Sequence, residues 1–321
     1  MTKPSIEGAS ALRIPSAVLE SALDDVVPGA RMLTRRPNRH SSRSPSEIIT
    51  CRLADGQVHE LLCKYSKGAE RTAVGTPWGP AYEAEVYRLL AGRPGLPVAF
   101  RGFWSGGHED RSVLFLDFVA DSVRLGDAPH PESVRRAAAW LGRFHRVWDG
   151  HAHVLSPNSI NRHDLDYYMA WVRRVESLVK DGDGLGWIAE MATNAHRAFL
   201  PLLDASDPTM IHGEFYPENI LVQKGTIWPV DWEWAAIGPG EIDLISLVEN
   251  WSPEIADLCR AEYVTSRWSG GAPPTFDVRL RAAEFYVQCR SLGGPSSRVL
   301  RWTGTGRTAR LKALAMELGL L

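Results

Sequence analysis

The feature that most constrains this chain is the stretch at residues 210–244, MIHGEFYPENILVQKGTIWPVDWEWAAIGPGEIDL. It begins with apolar residues typical of a strand and continues into a polar segment that carries His212, Glu214 and Asn219. Further along, Asp231 stands between two apolar residues. Side chains that can bind a metal or accept a proton are therefore concentrated in a segment that otherwise has the composition of buried strands.

The residues between Asn219 and Asp231 predict a β-hairpin. Apolar runs at residues 220–222 and 227–230 flank a three-residue turn at residues 223–225 that ends in glycine, and such a turn allows a strand to fold back on itself. Because Asn219 and Asp231 flank the two strands, we expect them to lie side by side. A carboxylate beside a carboxamide oxygen is a ligand set that suits Mg²⁺.

In these residues the chain resembles the aminoglycoside phosphotransferase and choline kinase family, a branch of the protein-kinase-like fold. The family pattern is His-Gly-Asp, four further residues, Asn, a hydrophobic hairpin, and an Asp followed by an aromatic residue. This chain has His212-Gly213-Glu214, then Asn219, then Asp231 followed by Trp. One residue departs from the pattern, since Glu214 stands where the family has its catalytic Asp. The resemblance covers about residues 30–290.

The resemblance implies a role for each of these side chains. Glu214 would accept or orient the proton of the attacking hydroxyl, which requires a carboxylate within hydrogen-bond reach of that oxygen. Asn219 and Asp231 would bind the Mg²⁺ that bridges phosphate oxygens during phosphoryl transfer. His212 would pack under the loop and donate a hydrogen bond. Asp243 would accept hydrogen bonds from the same loop, although by its position it could also be a helix N-cap.

Upstream, Lys64 stands among the apolar residues of a strand predicted over residues 59–65. Lysine is seldom fully buried without an ionic partner, and a helix predicted over residues 82–91 carries Glu83 and Glu85. The resemblance implies that Lys64 holds the α- and β-phosphates of a nucleotide and pairs with Glu83, with Glu85 as the alternative. The residues alone also allow an exposed lysine and a solvated helix face.

Between the first two predicted strands lies a polar and basic segment, RRPNRHSSRSPSE. The resemblance implies that a loop here covers the nucleotide phosphates, with hydroxyl donors at Ser41, Ser42 and Ser44, of which we take Ser42 as the candidate. The segment lacks the glycine-rich pattern G-x-G-x-x-G, so a solvated basic loop explains it equally well.

Composition restricts the class of protein. Of its 321 residues, 44% are hydrophobic and 23% are charged, as in ordinary globular proteins. The net charge of −2 predicts neither a nucleic-acid nor a membrane partner. No stretch approaches the roughly 20 apolar residues that a membrane span needs, and the N-terminus lacks the apolar core of a signal peptide. We expect a cytoplasmic protein whose four separated cysteines are buried free thiols.

The predicted architecture is α+β, in the bilobal protein-kinase-like arrangement. One helix and an antiparallel sheet would form the N-terminal lobe, with strands at residues 31–33, 47–53, 59–65, 98–104 and 112–118. Apolar residues at helical spacing predict a larger, mainly helical C-terminal lobe. We place an N-terminal extension at residues 1–29, a nucleotide-binding lobe at 30–120, and a lobe with the catalytic loop and acceptor pocket at 121–321.

The function that the resemblance implies is a small-molecule kinase. It would transfer the γ-phosphoryl group of ATP or GTP, with Mg²⁺, to a hydroxyl of a metabolite or antibiotic-like acceptor. The extra methylene of Glu214 leaves an alternative open, in which the chain is a catalytically inactive kinase-like protein that binds a nucleotide or metabolite. A protein kinase is disfavoured because the segments D-F-G and A-P-E are absent.

The acceptor is less constrained. Residues 251–321 contain ten Lys or Arg against six Asp or Glu, and this excess argues against a polycationic aminoglycoside, which calls for an acidic wall. A solvated basic face explains the same count. Trp232 and Trp234 stand beside the predicted pocket, and buried packing explains them as well. We expect an uncharged or anionic hydroxylated acceptor.

Overall fold

Most of the strands near the N-terminus are built around short apolar runs. In the computed structural model, the described residues are 14–40, 44–66, 78–91, 93, 96–106, 111–151, 160–179, 184–203, 208–294 and 306–321. They divide into two units. The first takes in the described residues up to Ser122 together with Asp231–Glu233, and the second takes in the remainder.

The first unit is a five-stranded antiparallel sheet with two helices. The strands are β1 (Arg31–Pro37), β2 (Ser46–Arg52), β3 (Val58–Tyr65), β4 (Phe100–Ser105) and β5 (Ser112–Asp117), in the order β1-β2-β3-β5-β4. The helices are α1 (Ser16–Val26) and α2 (Gly79–Ala91). Strands β3 and β5 lie inside the sheet, and β5 is buried along most of its length, as expected of a strand covered on both faces.

Helix α1 is part of the first unit's core. Its buried Leu19 and Leu23 belong to one apolar cluster with Ile49, Cys51 and Phe115 of the sheet. The segment predicted as an extension at residues 1–29 thus contains a helix that packs on the sheet. The position of β1 also differs from the prediction, since this strand continues from the predicted 31–33 to Pro37 by pairing with β2 as far as Glu47.

The second unit is mainly helical. Its helices are α3 (Pro131–Trp148), α4 (Leu165–Ser177), α5 (Trp187–Asn194), α6 (His196–Leu203), α7 (Glu241–Val248), α8 (Pro253–Arg267), α9 (Phe276–Gly293) and α10 (Arg307–Glu317), with a 3₁₀ turn at Pro217–Asn219. The short strands are β6 (Val123–Arg124), β7 (Thr209–Ile211), β8 (Ile220–Gln223), β9 (Thr226–Pro229) and β10 (Ala236–Gly238). They form an antiparallel ladder β6-β8-β9 and a pair β7-β10.

Helix α9 is the central helix of this unit. Thirteen of its residues are buried, including all six from 285 to 290, and it contacts α4, α6, α7 and α10. Along those six residues the helix is buried all round, as in a core helix rather than an amphipathic surface helix. A polar side chain in this part of α9 therefore needs a partner inside the protein.

The predicted hairpin is present, but its turn is shorter than expected. Gln223 of β8 pairs with Thr226 of β9, which leaves a two-residue turn of Lys224 and Gly225. Both turn residues have positive φ, 48° and 83°. This geometry matches the right-handed twist of the strands, which is why two-residue hairpin turns favour it. The prediction of a three-residue turn at 223–225 is wrong for this reason.

One further expectation is confirmed within the described residues. The four cysteines, Cys51, Cys63, Cys259 and Cys289, are buried free thiols. Among the helices that the structure describes, none combines the length and the apolar character needed to cross a membrane.

Candidate active site

A buried lysine organises the polar residues of the first unit. Lys64 projects from β3, and its Nζ donates to both carboxylate oxygens of Glu83 on α2, at 2.9 and 2.8 Å. The same Nζ donates to Oδ1 of Asp231 at 2.6 Å. The Glu83 side chain is 1% exposed and that of Lys64 is 12% exposed. Glu85, the alternative partner, is exposed and pairs with Arg88 instead.

Asp231 occupies an unusual backbone conformation. Its φ is +72°, in the left-handed region that Asp and Asn enter more readily than other non-glycine residues. The next residue, Trp232, donates its backbone N–H to Oε1 of Glu83 at 3.2 Å. Glu83 thus contacts both the side chain of Lys64 and the backbone of the segment 231–233, and it fixes Asp231 next to the lysine.

Burial and charge act against each other in this cluster. Burial alone would lower the pKa of Lys64, but the carboxylates of Asp231 and Glu83 outweigh it and raise that pKa well above its usual value. Burial raises the pKa of Glu83, and the charge of Lys64 opposes this. The ammonium group of Lys64 stays protonated, and it is the charge that holds the cluster together.

In the second unit, the loop that runs from His212 to Asn219 is held by Asp243. Asp243 lies in the first turn of α7, and its side chain is fully buried. Its Oδ2 accepts from the backbone N–H of His212 at 2.6 Å, and its Oδ1 accepts from that of Gly213 at 2.9 Å. The side chain of His145 on α3 lies 3.3 Å from Oδ2. The carboxylate thus serves the backbone of the loop.

Gly213 is required where it stands. Its φ is +80°, and a Cβ at this position would lie 2.2 Å from the carbonyl oxygen of Trp234. His212, just before it, is buried, and its Nε2 lies 3.0 Å from the carbonyl oxygen of Val230. The loop therefore runs directly against the segment that follows the hairpin, leaving no space for a side chain.

Asn219 ends the loop. Its side-chain Nδ2 donates to the backbone carbonyl oxygen of Glu214 at 3.0 Å. Its backbone carbonyl oxygen accepts from the backbone N–H of Val230 at 2.9 Å. With the amide nitrogen engaged in the loop, the side-chain oxygen of Asn219 is the atom that could serve a metal.

Glu214 has a partner that the sequence did not indicate. Nη2 of Arg290, on the buried helix α9, donates to Oε1 of Glu214 at 2.7 Å, and Nη1 of the same arginine donates to the carbonyl oxygen of Gly213. The Arg290 side chain is 6% exposed, and its guanidinium lies 4.5 Å from the ring centre of Trp234. Because α9 also carries Arg279 and Arg281, no signal in the sequence singled out Arg290 as this partner.

Residues 71–275 match the model of the phosphotransferase enzyme family. The chain belongs to this family. No curated protein matches it. The prediction of the family from the residues at 212–232 is thereby confirmed.

Solved structures show the fold of this phosphotransferase-family chain. It is similar to choline kinase LicA from Streptococcus pneumoniae, with a TM-score of 0.59 at 12% identity over 95% of this chain and 99% of that one. It is also similar to aminoglycoside 2'-phosphotransferase-IIIa solved with GDP, with a TM-score of 0.59 at 14% identity over 95% and 98%. A third similar structure is amicoumacin kinase hAmiN solved with AMP-PNP, Ca²⁺ and Ami, with a TM-score of 0.55 at 13% identity over 98% of this chain and 96% of that one. The predicted α+β, protein-kinase-like fold is confirmed.

The predicted site residues of this family member fall into two groups. Lys64, Glu83 and Asp231 come together in the first unit. The second unit holds His212, Glu214, Asn219 and Asp243. The joint metal site of Asn219 and Asp231 stays a prediction, and Ser42 lies outside the described residues. Within the part of the chain that the structure describes, no three or more His, Cys, Asp or Glu side chains cluster as a metal site.

A histidine and several arginines of the second unit are also buried. His145 is a buried core histidine, and its Nδ1 lies 2.9 Å from the hydroxyl of Tyr263. The interpretation of the C-terminal arginines as a solvated basic face is wrong for three of them. Arg267, Arg279 and Arg290 are buried and form ion pairs with Asp149, Glu241 and Glu214. Trp232 and Trp234 are buried as well.

Proposed function

We propose that this protein is a small-molecule O-phosphotransferase that uses ATP or GTP together with Mg²⁺. Its family membership supports phosphoryl transfer. The neighbours solved with GDP, and with AMP-PNP and Ca²⁺, are themselves kinases or phosphotransferases that act on small molecules, which supports the nucleotide and the divalent ion. The four buried free thiols suit a reducing cytoplasm.

The observation that carries the proposal is the cluster of Lys64, Glu83 and Asp231. A lysine that is pinned by a buried glutamate presents a fixed positive charge, and phosphoryl transfer depends on such positioned charges rather than on covalent chemistry by the protein. In the proposed reaction, Lys64 binds the α- and β-phosphates and Glu83 orients it. Nζ of Lys64 donates to Oδ1 of Asp231 at 2.6 Å, so that the proposed phosphate-binding cation lies beside the proposed metal ligand.

The residues present fit Mg²⁺. Asp231 offers a carboxylate and Asn219 offers its amide oxygen, because the amide nitrogen of Asn219 is bonded to the loop backbone. Oxygen ligands of this kind suit a hard divalent cation. When bound, Mg²⁺ would neutralise charge that develops on the phosphate oxygens.

Glu214 is the proposed base. The acceptor hydroxyl oxygen forms a bond to the γ-phosphorus, the bond from that phosphorus to the β,γ-bridging oxygen breaks, and the hydroxyl proton passes to the Glu214 carboxylate. The products are a phosphate monoester and a nucleoside diphosphate. Because Arg290 donates to the same carboxylate, the base and its arginine together carry no net negative charge. This favours an uncharged or anionic acceptor over a polycationic one.

A second candidate function is a catalytically inactive kinase-like protein that binds a nucleotide or metabolite. The observation that favours it is the ion pair of Glu214 with Arg290, because a carboxylate engaged by a guanidinium is a weaker base than one left alone. The two functions differ in turnover, and both are compatible with nucleotide binding.

The test of the proposed function is thermal unfolding with ATP and with GTP, each with and without Mg²⁺, on wild type and on Asp231→Asn. Ligand at about a hundred times Kd adds roughly 2.7 kcal/mol of apparent stability. We expect a Mg²⁺-dependent rise in Tm that Asp231→Asn loses, since Asn tolerates the left-handed backbone of Asp231 but lacks its charge. A wild type that responds to neither nucleotide would contradict the phosphotransferase and favour a kinase-like protein that binds a metabolite without chemistry.

A further inference from the structure

The proposed base of this protein is one methylene longer than the aspartate of the family pattern. A longer side chain has more rotamers. Its carboxylate can therefore take up several positions relative to the backbone unless a contact with another group holds it in one of them. In phosphoryl transfer the base acts chiefly by position, and a displacement of about 1 Å can cost about a hundredfold in rate. The structure should therefore contain a group that defines the position of the Glu214 carboxylate.

Arg290 makes two contacts that together do this. One guanidinium nitrogen donates to the carboxylate of Glu214 and the other donates to the backbone carbonyl of Gly213. Because the guanidinium is planar and rigid, the two hydrogen bonds fix the carboxylate relative to the backbone of the loop. That backbone is itself held by Asp243 through the N–H groups of His212 and Gly213.

The arginine is fixed as well. It projects from the buried helix α9, and its guanidinium lies 4.5 Å from the ring centre of Trp234 and 5.8 Å from that of Trp171. A cation placed over aromatic rings in a desolvated site is held by the ring quadrupoles. The guanidinium is therefore held by contacts on its aromatic side as well as by its two hydrogen bonds to the loop.

We propose that Arg290 is a positioning residue, which holds the Glu214 carboxylate where a glutamate can do the work of the shorter aspartate. The proposal rests on the proposed function and deepens it. It assigns no contact between Arg290 and the substrate, because the guanidinium acts through Glu214 and the carbonyl of Gly213.

The chain offers a matched control on the same helix. Arg279 is also buried on α9, and it forms an ion pair at 2.8 Å with Glu241 of α7, a residue outside the loop from His212 to Asn219. Arg290→Met and Arg279→Met both remove a buried guanidinium and leave a carboxylate behind. The two variants should lose similar stability in urea unfolding, and only the first should lose its catalytic rate.

The readout is nucleotide turnover with water as the acceptor, followed as release of labelled γ-phosphate from ATP or GTP with Mg²⁺. Arg290→Met should lower kcat about a hundredfold, the cost expected for a misplaced carboxylate. The nucleotide KM should stay within about twofold of the wild-type value, and the Mg²⁺-dependent Tm shift should be retained, because the lysine cluster is a separate set of contacts. Arg279→Met should keep the wild-type kcat.

Arg290→Lys guards against a folding defect. It keeps the buried positive charge and most of the stem but lacks the two-pronged donor, so its Tm should stay near wild type while its kcat falls. A wild-type kcat in both folded Arg290 variants would overturn the proposal.

A double-mutant cycle separates positioning from packing. Glu214→Asp withdraws the carboxylate by one C–C bond, about 1.5 Å, out of reach of Arg290. Arg290→Met should then have little further effect on kcat in the Glu214→Asp background. An equal loss in both backgrounds would show that Arg290 only supports the fold. Failure of the proposed function gives a different result, in which wild type neither binds Mg²⁺-nucleotide nor turns it over.

Discussion

The two groups of site residues are held by different kinds of contact. In the first unit, Lys64, Glu83 and Asp231 are joined by ion pairs between side chains that lie 19 and 167 residues apart in the chain. In the second unit, the loop from His212 to Asn219 is held through its backbone, whose N–H and C=O groups bond to Asp243 and Arg290.

The difference explains where the chain departs from the family pattern. In the lysine cluster each side chain is the partner of another, so that a change at one residue leaves a buried charge without its counterpart. In the loop, the contacts to Asp243 do not depend on which side chain stands at residue 214. A glutamate can therefore replace the aspartate of the pattern there, provided that another group, which we propose is Arg290, holds its carboxylate.

The largest effect on stability is expected from Lys64→Met in the first unit. It leaves Glu83 buried without its cation, which should cost about 3 to 5 kcal/mol of unfolding free energy and abolish the Mg²⁺-nucleotide Tm shift. Glu85→Gln is the control on the same helix, since Glu85 is exposed, and it should change stability by no more than about 0.5 kcal/mol. Urea unfolding measures both. Equal stabilities would show that the cluster is not held by Lys64.

The same variant has a predicted pH dependence. Burial raises the pKa of Glu83 above its usual value near 4.5, and Lys64 opposes this rise, so removing Lys64 should raise the pKa further. Below pH 4.5 the carboxyl is protonated in both the folded and the unfolded states, and there is no penalty. As the pH rises, only the unfolded state ionises, and stability falls until the folded-state pKa is passed. The deficit of Lys64→Met should be smaller at pH 5 than at pH 8.

An intermediate effect is expected from Gly213→Ala, which attacks the backbone of the loop. The new Cβ would lie 2.2 Å from the Trp234 carbonyl at a residue with φ of +80°, and we expect a loss of about 2 to 4 kcal/mol together with a loss of turnover. Gly225→Ala is matched in φ, at +83°, but its Cβ would meet only the end of the flexible Arg136 side chain. That control should lose about 1 kcal/mol and keep its turnover. Equal losses would mean that the close approach to Trp234 is unimportant.

The smallest effect sharpens the role of Asp243. His145→Gln removes the buried ring beside Asp243 and should cost about 1 kcal/mol at pH 7. Burial lowers the pKa of His145 below its usual value near 6.5. The unfolded state therefore takes up a proton below pH 6.5 before the folded state does, and wild type loses stability as the pH falls. The variant lacks this component, so its deficit should shrink between pH 7 and pH 5. A deficit that is constant with pH would contradict this account of His145.

Local pattern was enough to predict much of the first unit. Strands β2 to β5 lie within two residues of their predicted bounds, because short runs rich in β-branched and aromatic residues mark them in the sequence. Strand β1 was predicted too short, because its sequence RMLTRRP is mostly polar and its outer residues are ordered by pairing with β2. That pairing is tertiary information. For the same reason, a boundary predicted at residue 120 could not indicate that the three residues 231–233 group with the first unit.

The same distinction applies to the candidate site. The contact between Lys64 and Glu83 could be predicted, because a lysine in an apolar strand requires an acidic partner and the resemblance indicated which one. Arg290 could not be predicted, since its partners Glu214 and Gly213 lie 76 and 77 residues away and no local period marks a buried ion pair. A count of basic residues treats it like any exposed arginine.

The most direct test of the central claim is transfer of label from γ-labelled ATP and GTP, with Mg²⁺, to a panel of hydroxylated small molecules. The panel should contain uncharged, anionic and polycationic members, each offered to wild type and to Glu214→Ala. We predict that wild type transfers label to an uncharged or anionic member and that Glu214→Ala does so at least about a hundredfold more slowly. Two results would contradict the account. One is transfer of label at equal rates by both proteins. The other is nucleotide binding without transfer to any acceptor, which would favour a kinase-like binding protein.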